Sequence, residues 1–538
     1  MIRAALSLVL AGVVVQAWAA DAPAKPNIVL VFADDLGRHA GVYAKLDGRP
    51  TCNRMLSTPA IDRLAAEGAV VRQAFVSAPS CTPSRSALVS GGHFWRAGRA
   101  AILSGAVWDG SVYSLPLALK DHGYHIGKTY KVWSPGTPQD GPFVDGSPGG
   151  HAYEHAGRRF NGFSTHATGL VEQGLSPEEA RRELLREIRG NLDRFLSARD
   201  GDRPFFYFLG PTNTHRKWQR GSGLRLWGLS PDALSGTMPA FLPDVPEVRE
   251  DLADYLGEVQ AVDAAIGEVV ARLRETGDLD RTILIVSGDH GAPGFPHGKC
   301  DLYDFGTRVP LVIWAGPEAG LSIRPGTVVE ELVSLADLAP TVLACVGLPA
   351  PGSMTGRSLV PLLDASRPGE WTPRAAVFFG RERHVGQARE GGLPYPMRAI
   401  RTHDHLYIRN FAPERWPMGS AKGVTAESSP THAALTHDTG VAFPDFDASP
   451  TKAWLVEHRA VPAGREHFQR AFGRRPAEEL YVLATDPDQV VNRAGDPALA
   501  AVQAELRAAL MAELERTGDP RVVDGGSFFE TPPLAGPR

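Results

Sequence analysis

Three short polar clusters carry residue types that can do chemistry, and each follows an apolar stretch. Asp34-Asp35 comes after 27–32, Asn213-Thr214-His215-Arg216 after 204–209, and Asp289-His290 after 282–287. Adjacent carboxylates repel unless a cation neutralises them. Asp34, Asp35, Asp289 and His290 supply three carboxylates and one imidazole. A mostly oxygen donor set suits a hard divalent ion, calcium or magnesium. Taken alone, Asp34-Asp35 reads as a helix cap or a solvated turn; taken with Asp289-His290 it reads as a metal site. A fourth segment, Cys81-Thr82-Pro83-Ser84-Arg85, places a thiol before a proline suited to a helical first turn. Cys81 then lies at the positive helix end, where an anion is favoured. Arg85, one turn on, can hold both a nucleophile and a tetrahedral anion.

The elements that must position these groups follow from periodicity. The apolar runs 27–32, 204–209, 282–287 and 311–314 read as buried, mainly parallel strands. Thr58 as N-cap, Pro59 at the first position and Gly68 as stop predict a helix. Ser176-Pro177-Glu178-Glu179 is a capping box opening a helix to about Ala198. From Val248 to Leu273 apolar residues keep a helical period, ending at Gly277. This alternation predicts an α/β fold with a mainly parallel central sheet flanked by helices. Ligands of such sheets bind beyond the carboxyl ends of the strands, so the three clusters should converge. Beyond about Ser366 the segments shorten (375–379, 397–401, 406–409, 480–483), which predicts a smaller antiparallel sheet with a terminal helix over 497–516. The stretch 419–449 reads as long loops, and 532–538 as a frayed tail. The expected organisation is a leader at 1–20, a catalytic domain over 21–366 and a smaller C-terminal subdomain over 367–538.

A chain of 538 residues that is 43% hydrophobic can bury one large core and a second, smaller unit. Its net charge of −5 is too small to attract or repel a polyanion globally, so an anion site must be built locally; no nucleic-acid partner is implied. Met1-Ile2-Arg3, an apolar run over 4–15 and Ala17-Trp18-Ala19 read as a secretory signal cleaved near Ala19 or Ala20. The mature protein is thus expected to be secreted or periplasmic, without a membrane span. Cys52, Cys81, Cys300 and Cys345 have neither disulfide-scaffold nor zinc-knuckle spacing, and Cys345 reads as a buried core thiol.

The Cys-x-Pro-Ser-Arg core of residues 81–85, with Leu88-Val89-Ser90-Gly91, resembles the signature of the type I (formylglycine) sulfatases. The likeness runs from Asn27 to about residue 525 and implies the alkaline-phosphatase-like fold. Within that family, Gly291 to Lys299 with Leu302-Tyr303, and Tyr395-Pro396-Met397-Arg398, resemble segments of the heparan N-sulfatase (sulfamidase) group. Glu479-Leu480-Tyr481 with Asp486-Pro487 and Asn492 resembles a C-terminal motif common to many sulfatases.

The resemblance implies that Cys81 is oxidised by a formylglycine-generating maturation enzyme and hydrated to a diol that attacks sulfur. Asp34, Asp35, Cys81, Asp289 and His290 match the metal ligands, with calcium implied and magnesium the alternative. Arg85 and Lys128 match residues that hold the diol and the sulfate oxygens, Lys299 a basic sulfate-binding position, and His215 the histidine beside the leaving group, read here as general acid. Tyr130 stands where the family usually has a histidine; Tyr130, Lys131 or another residue folded in from elsewhere is expected to replace that base. His384 reads as reaching over the cleft to the sugar and Arg383 as pairing with a carboxylate or sulfate of the substrate, or both as part of a solvated charged loop. His93 and Trp95 read as local packing rather than pocket lining, His151, His155 and His166 as loop residues, and the charge run from Glu178 to Arg189 as a solvated helix face. The implied substrate is a sulfated glycan, N-sulfoglucosamine of heparan or heparin first. The alternatives are an O-sulfated carbohydrate or aryl sulfate, a phosphate or phosphonate ester, or glycan binding without catalysis if Cys81 stays unmodified.

Overall fold

The computed structural model describes residues 25–146, 151–366, 369, 371–530 and 532; the leader at 1–20 lies outside them, as does the tail beyond Pro532. Eight strands form the large sheet: β1 (Asn27–Ala33), β2 (Ala69–Phe75), β3 (His125–Tyr130), β4 (Phe205–Gly210), β5 (Thr282–Gly288), β6 (Arg308–Val309), β7 (Leu311–Ala315) and β8 (Thr327–Ser334). Their order is β3-β4-β1-β5-β7-β2-β6, with β8 also on β2. β3, β4, β1 and β5 are mutually parallel, and β8 runs parallel to β2. β7, the expected strand at 311–314, is antiparallel to both β5 and β2. A parallel neighbour needs a long crossover, usually helical. Between β5 and β6 the chain makes only the four-residue helix Asp304–Thr307, and it returns in the opposite sense.

β1 is central and wholly buried. Its alternating side chains feed two cores, Val29 and Val31 into one, Ile28, Leu30 and Phe32 into the other. The helix Pro246–Thr276 covers the first face and ends at left-handed Gly277. The helix Pro177–Ser197 opens on the expected capping box. The helix Pro59–Glu67 is capped differently from expectation. Thr58 Oγ1 accepts from Gly41 N and donates to Asp62, while Asp263 on the long helix accepts from Ile61 N (2.8 Å) and Ala60 N (3.3 Å).

The second sheet is antiparallel, β12-β11-β10-β9, from β9 (Val377–Arg381), β10 (Met397–Arg401), β11 (His405–Asn410) and β12 (Glu478–Val482). Leu506, Leu510 and Leu514 of the helix Ala500–Arg516 share a core with Ile400, Tyr407 and Leu480. Gly380 N donates to Ser77 O at 3.0 Å, fastening this sheet to the segment before Cys81.

Several expectations change. Cys345 is half-buried rather than a core thiol, because it ends the helix Leu338–Cys345. His166 lies inside the helix Phe163–Glu172, not in a loop. Glu187 breaks the solvated face of its helix: it is buried and accepts from Tyr130, Arg159 N and Phe160 N. His93 and Trp95 pack against the C-terminal helical segment through Glu513 and Thr517. Among the described residues no helix is long and apolar enough to cross a membrane.

Candidate active site

Cys81 opens the helix Cys81–Ser90, whose N-cap Ser80 is extended and makes no side-chain cap. The helix is buried from Cys81 to Val89, so its polar side chains must find partners inside. Ser84 donates to Asp289 O (2.6 Å), Thr82 to Pro135 O (2.7 Å) and Ser86 to Thr82 O and Ala100 O. These bonds fix the Cys81 end against the strand ends. The helix stops at Gly91, whose φ of 69° is left-handed.

The strand ends arrive at the same place. Asp34 and Asp35 follow β1, and Asp35 takes a φ of 60°, which aspartate tolerates better than most side chains. Tyr255 on the long helix holds that turn, donating to Asp35 O and accepting from Gly37 N. Asp289 follows β5; its N–H donates to Ala33 O and its Oδ1 accepts from Asp35 N at 2.7 Å. Cys81 Sγ lies 3.4 Å from His290 Nε2 and 3.9 Å from Asp35 Oδ1, and His290 Nε2 lies 3.2 Å from Asp35 Oδ1. Ligand atoms of Asp35, Cys81 and His290 lie within 4.8 Å of one another, as do those of Asp34, Cys81 and Asp289. All five expected ligand residues therefore meet in a buried group rich in carboxylate oxygen, the donor chemistry that fits a hard divalent cation.

Cations surround the acids. Arg85 is fully buried and pairs with Asp289 (2.8 Å) and Asp34 (3.2 Å). Lys131 Nζ lies 2.7 Å from Asp34, and Lys299 Nζ lies 3.1 Å from Asp35. Burial alone would raise the Asp34 carboxyl, but Lys131 and Arg85 hold it well below the usual range. For Asp289 burial wins over His290 and Arg85, and the carboxyl is pushed up. Burial, reinforced by Asp34, also holds the Cys81 thiol well above the usual thiol range. Lys299 stays charged: Asp35 and Asp447 outweigh its burial. His215 Nδ1 faces Arg216 O at 2.7 Å and its Nε2 faces Lys299 Nζ at 3.2 Å, so Nδ1 carries the hydrogen and Nε2 accepts from the lysine.

The remaining candidates divide. Lys128 is buried and pairs with Asp140 at 2.9 Å, yet lines one cavity of about 420 Å³ together with Lys131. Tyr130 points its hydroxyl away from Cys81 to Glu187 at 2.6 Å and stacks on Phe160. Of the two named substitutes for the usual histidine, Lys131 is the one that pairs with a candidate ligand, Asp34. The Arg383 guanidinium donates to the carbonyls of Ser104, Gly392 and Pro532. His384 is buried beside the site, its Nδ1 2.8 Å from Ser80 Oγ, and burial pushes it down to about 3. Sequence reasoning missed Asp447, which pairs with Lys299 at 3.5 Å; it lies in the 419–449 stretch expected as loops, after the helix His432–His437 that this stretch in fact contains, and nothing in the local pattern marks it.

The sulfatase family model matches residues 26–348, and a model described as the C-terminal part of N-sulphoglucosamine sulphohydrolase matches 292–415. Among curated proteins, human N-sulphoglucosamine sulphohydrolase is 30% identical over 533 residues, covering 92% of this chain and 91% of that one. An ulvan-active sulfatase of Formosa agariphila is 25% identical, covering 92% and 76%. A solved structure in complex with its substrate D-glucosamine-2-N,6-O-disulfate superposes with a TM-score of 0.59 at 18% identity, covering 92% of this chain and 98% of that one, a likeness of fold.

Proposed function

The chain belongs to the sulfatase family, and from that premise we propose that this hydrolase of sulfuric esters or sulfamates acts on N-sulfoglucosamine units of heparan-type glycans. In this reading the protein is exported by its 1–20 leader, its 21–366 part is catalytic, and 367–538 forms the smaller unit. The observation that carries it is the convergence of Cys81 with Asp34, Asp35, Asp289 and His290 among three cations, Arg85 and Lys299 buried and Lys131 partly so. The choice of N-sulfate rests on the relative at 30% identity and on the family segment over 292–415.

An unmodified Cys81 would be a poor nucleophile, because burial keeps its thiol protonated. Formylglycine made from Cys81 by a maturation enzyme would, once hydrated to a diol, supply a hydroxyl nucleophile, and a divalent ion, calcium before magnesium, would supply Lewis acidity. Asp34, Asp35, Asp289 and His290 would hold that ion. The three acids are balanced by Arg85, Lys131 and Lys299, so a bound divalent ion leaves surplus positive charge for an anionic sulfo group. Arg85 and Lys131 orient residue 81 from the Asp34 side, while Lys299 orients the sulfo oxygens from the Asp35 side. Preorganised charges of this kind contribute on the order of 10²–10³ in rate each. Lys299 and His215 share one contact and together carry the proton that the leaving nitrogen must take.

The test is sulfate release from defined heparan disaccharides, using protein whose residue 81 has been identified by peptide mass. Release from the glucosamine nitrogen is expected. Release of 6-O-sulfate alone would leave the enzyme class standing and remove the N-sulfate assignment. Preferential cleavage of phenyl phosphate would move the protein to ester hydrolysis at phosphorus. No release despite formylglycine at position 81 would favour glycan binding.

A further inference from the structure

Asp447 is the acid of this site that the metal-ligand group does not use. Its neighbours fix it on both sides: Asp445 accepts from Val385 N and pairs with Arg389, and Ser449 donates to Gly294 O and caps the helix Pro450–Glu457. The carboxylate itself keeps 15% side-chain exposure, and its ion-pair partner is Lys299, 3.5 Å away. Two imidazoles, His215 and His384, and the Arg216 guanidinium are its other titratable neighbours. It therefore stands beside the Lys299–His215 contact, on the Asp35 side, while Lys131 occupies the Asp34 side.

We propose that Asp447 is a specificity-determining residue that accepts the hydrogen carried by the bridging nitrogen of a sulfamate, and so favours S–N over S–O cleavage. The inference rests on the N-sulfate reading above. An ionised carboxylate can only accept hydrogen bonds. The bridging nitrogen of a sulfamate carries one hydrogen to give; the bridging oxygen of a sulfate ester carries none and meets the carboxylate lone pair to lone pair. As the nucleophilic oxygen of residue 81 bonds to sulfur, the S–N bond breaks; its electron pair stays on nitrogen, which takes a proton from the Lys299–His215 contact. The amine so formed has more hydrogens to donate, and the carboxylate binds it better than it binds the substrate. An interaction that strengthens along the reaction raises kcat as well as affinity. A leaving alcohol gains much less from the same acceptor. Lys299 does two jobs here, keeping Asp447 ionised and facing the sulfo group.

The experiment compares kcat/KM on N-sulfoglucosamine and on 4-nitrophenyl sulfate for wild type, Asp447→Asn, Asp447→Ser and Asp447→Glu. Each protein is checked by melting temperature and by the mass of the Cys81 peptide. Losing one hydrogen bond to a charged group should cut the N-sulfate value by on the order of 10- to 100-fold. The aryl sulfate value should fall by about threefold at most, since that ester has no hydrogen to donate. Asp447→Ser should shift the ratio in the same direction as Asp447→Asn, and Asp447→Glu should restore part of it. Equal losses on both substrates would make Asp447 only a holder of Lys299, and no loss on either would leave it no role; either overturns the inference while the N-sulfate reading stands. A wild type bearing formylglycine that splits only the aryl sulfate would overturn both.

Discussion

Lys131 Nζ lies 2.7 Å from Asp34 Oδ1, at the end of a strand whose last residue, Tyr130, takes a φ of 65°. That left-handed turn sends the lysine toward the metal-ligand group and the tyrosine toward Glu187. Lys131→Ala should therefore lower kcat by roughly 10²- to 10³-fold, the usual cost of one preorganised charge at a reacting centre. Tyr130→Phe should keep kcat within about threefold while losing about 1–2 kcal/mol of stability, because it leaves buried Glu187 short of a donor. Steady-state kinetics and thermal melts on the two variants check both halves. Full turnover in Lys131→Ala would show that its charge does not act at the reacting centre.

Metal affinity should fall steeply on mild acidification. Burial holds the Asp289 carboxyl above its ordinary range in the metal-free protein. An ion needs that group deprotonated, so protons compete with the ion at higher pH than at an exposed carboxylate. Calorimetric titration with calcium should show weaker binding at pH 5 than at pH 7, with protons released at the lower pH. Asp289→Asn should weaken binding at both and flatten the dependence. Binding that is equally tight at the two values would contradict this account.

What the sequence disclosed, and what it hid, follows from where each residue lies along the chain. β1 is central, so it is apolar on both faces and stands out as a run. Its end, and those of β4 and β5, point one way, which is why Asp34-Asp35, Thr214-His215 and Asp289-His290 were legible as one site. β2 escaped notice because Arg72 and Gln73 interrupt it, and β8 because Glu330 and Glu331 do; both are only partly covered. The direction of Lys131 is not legible until the turn at Tyr130 is known, since a left-handed residue cancels the strand alternation that would assign it. Asp447 belongs to a loop held by tertiary contacts alone, and no periodicity announces such a carboxylate.

Arg383 should behave as a clamp rather than a substrate ligand. Its guanidinium donates to Ser104 O at 2.7 and 3.1 Å and to Pro532 O at 2.5 Å, joining the second sheet to the loop after the Cys81 helix. Arg383→Ala should cost roughly 2–3 kcal/mol, from carbonyls left without a charged donor, and leave KM for N-sulfoglucosamine unchanged. Denaturant melts and KM from the same preparations separate the two roles. A KM raised tenfold with stability intact would make it a ligand after all.

His39 supplies a pH signature independent of catalysis. It is buried, its Nδ1 meets Asn53 Oδ1 at 3.0 Å, and its ring packs edge-on against Tyr255 and Phe305. Burial lowers it from the ordinary histidine value to about 4, although Asn53 and Asp47 pull the other way. The folded value lies below the unfolded one, so the unfolded chain binds the extra proton first. The stability linked to this residue is thus complete above about pH 6.5 and is lost as pH falls from there toward 4. At pH 5 the loss should be about 2 kcal/mol. Other buried groups titrate over the same interval, so the quantity to follow is the difference between wild type and His39→Gln. Denaturant unfolding at pH 7.5 and pH 5 should show the wild type's advantage shrinking by about that amount at the lower pH. An advantage that grows on acidification would mean the imidazole is protonated in the fold, with Asp47 rather than burial setting its charge.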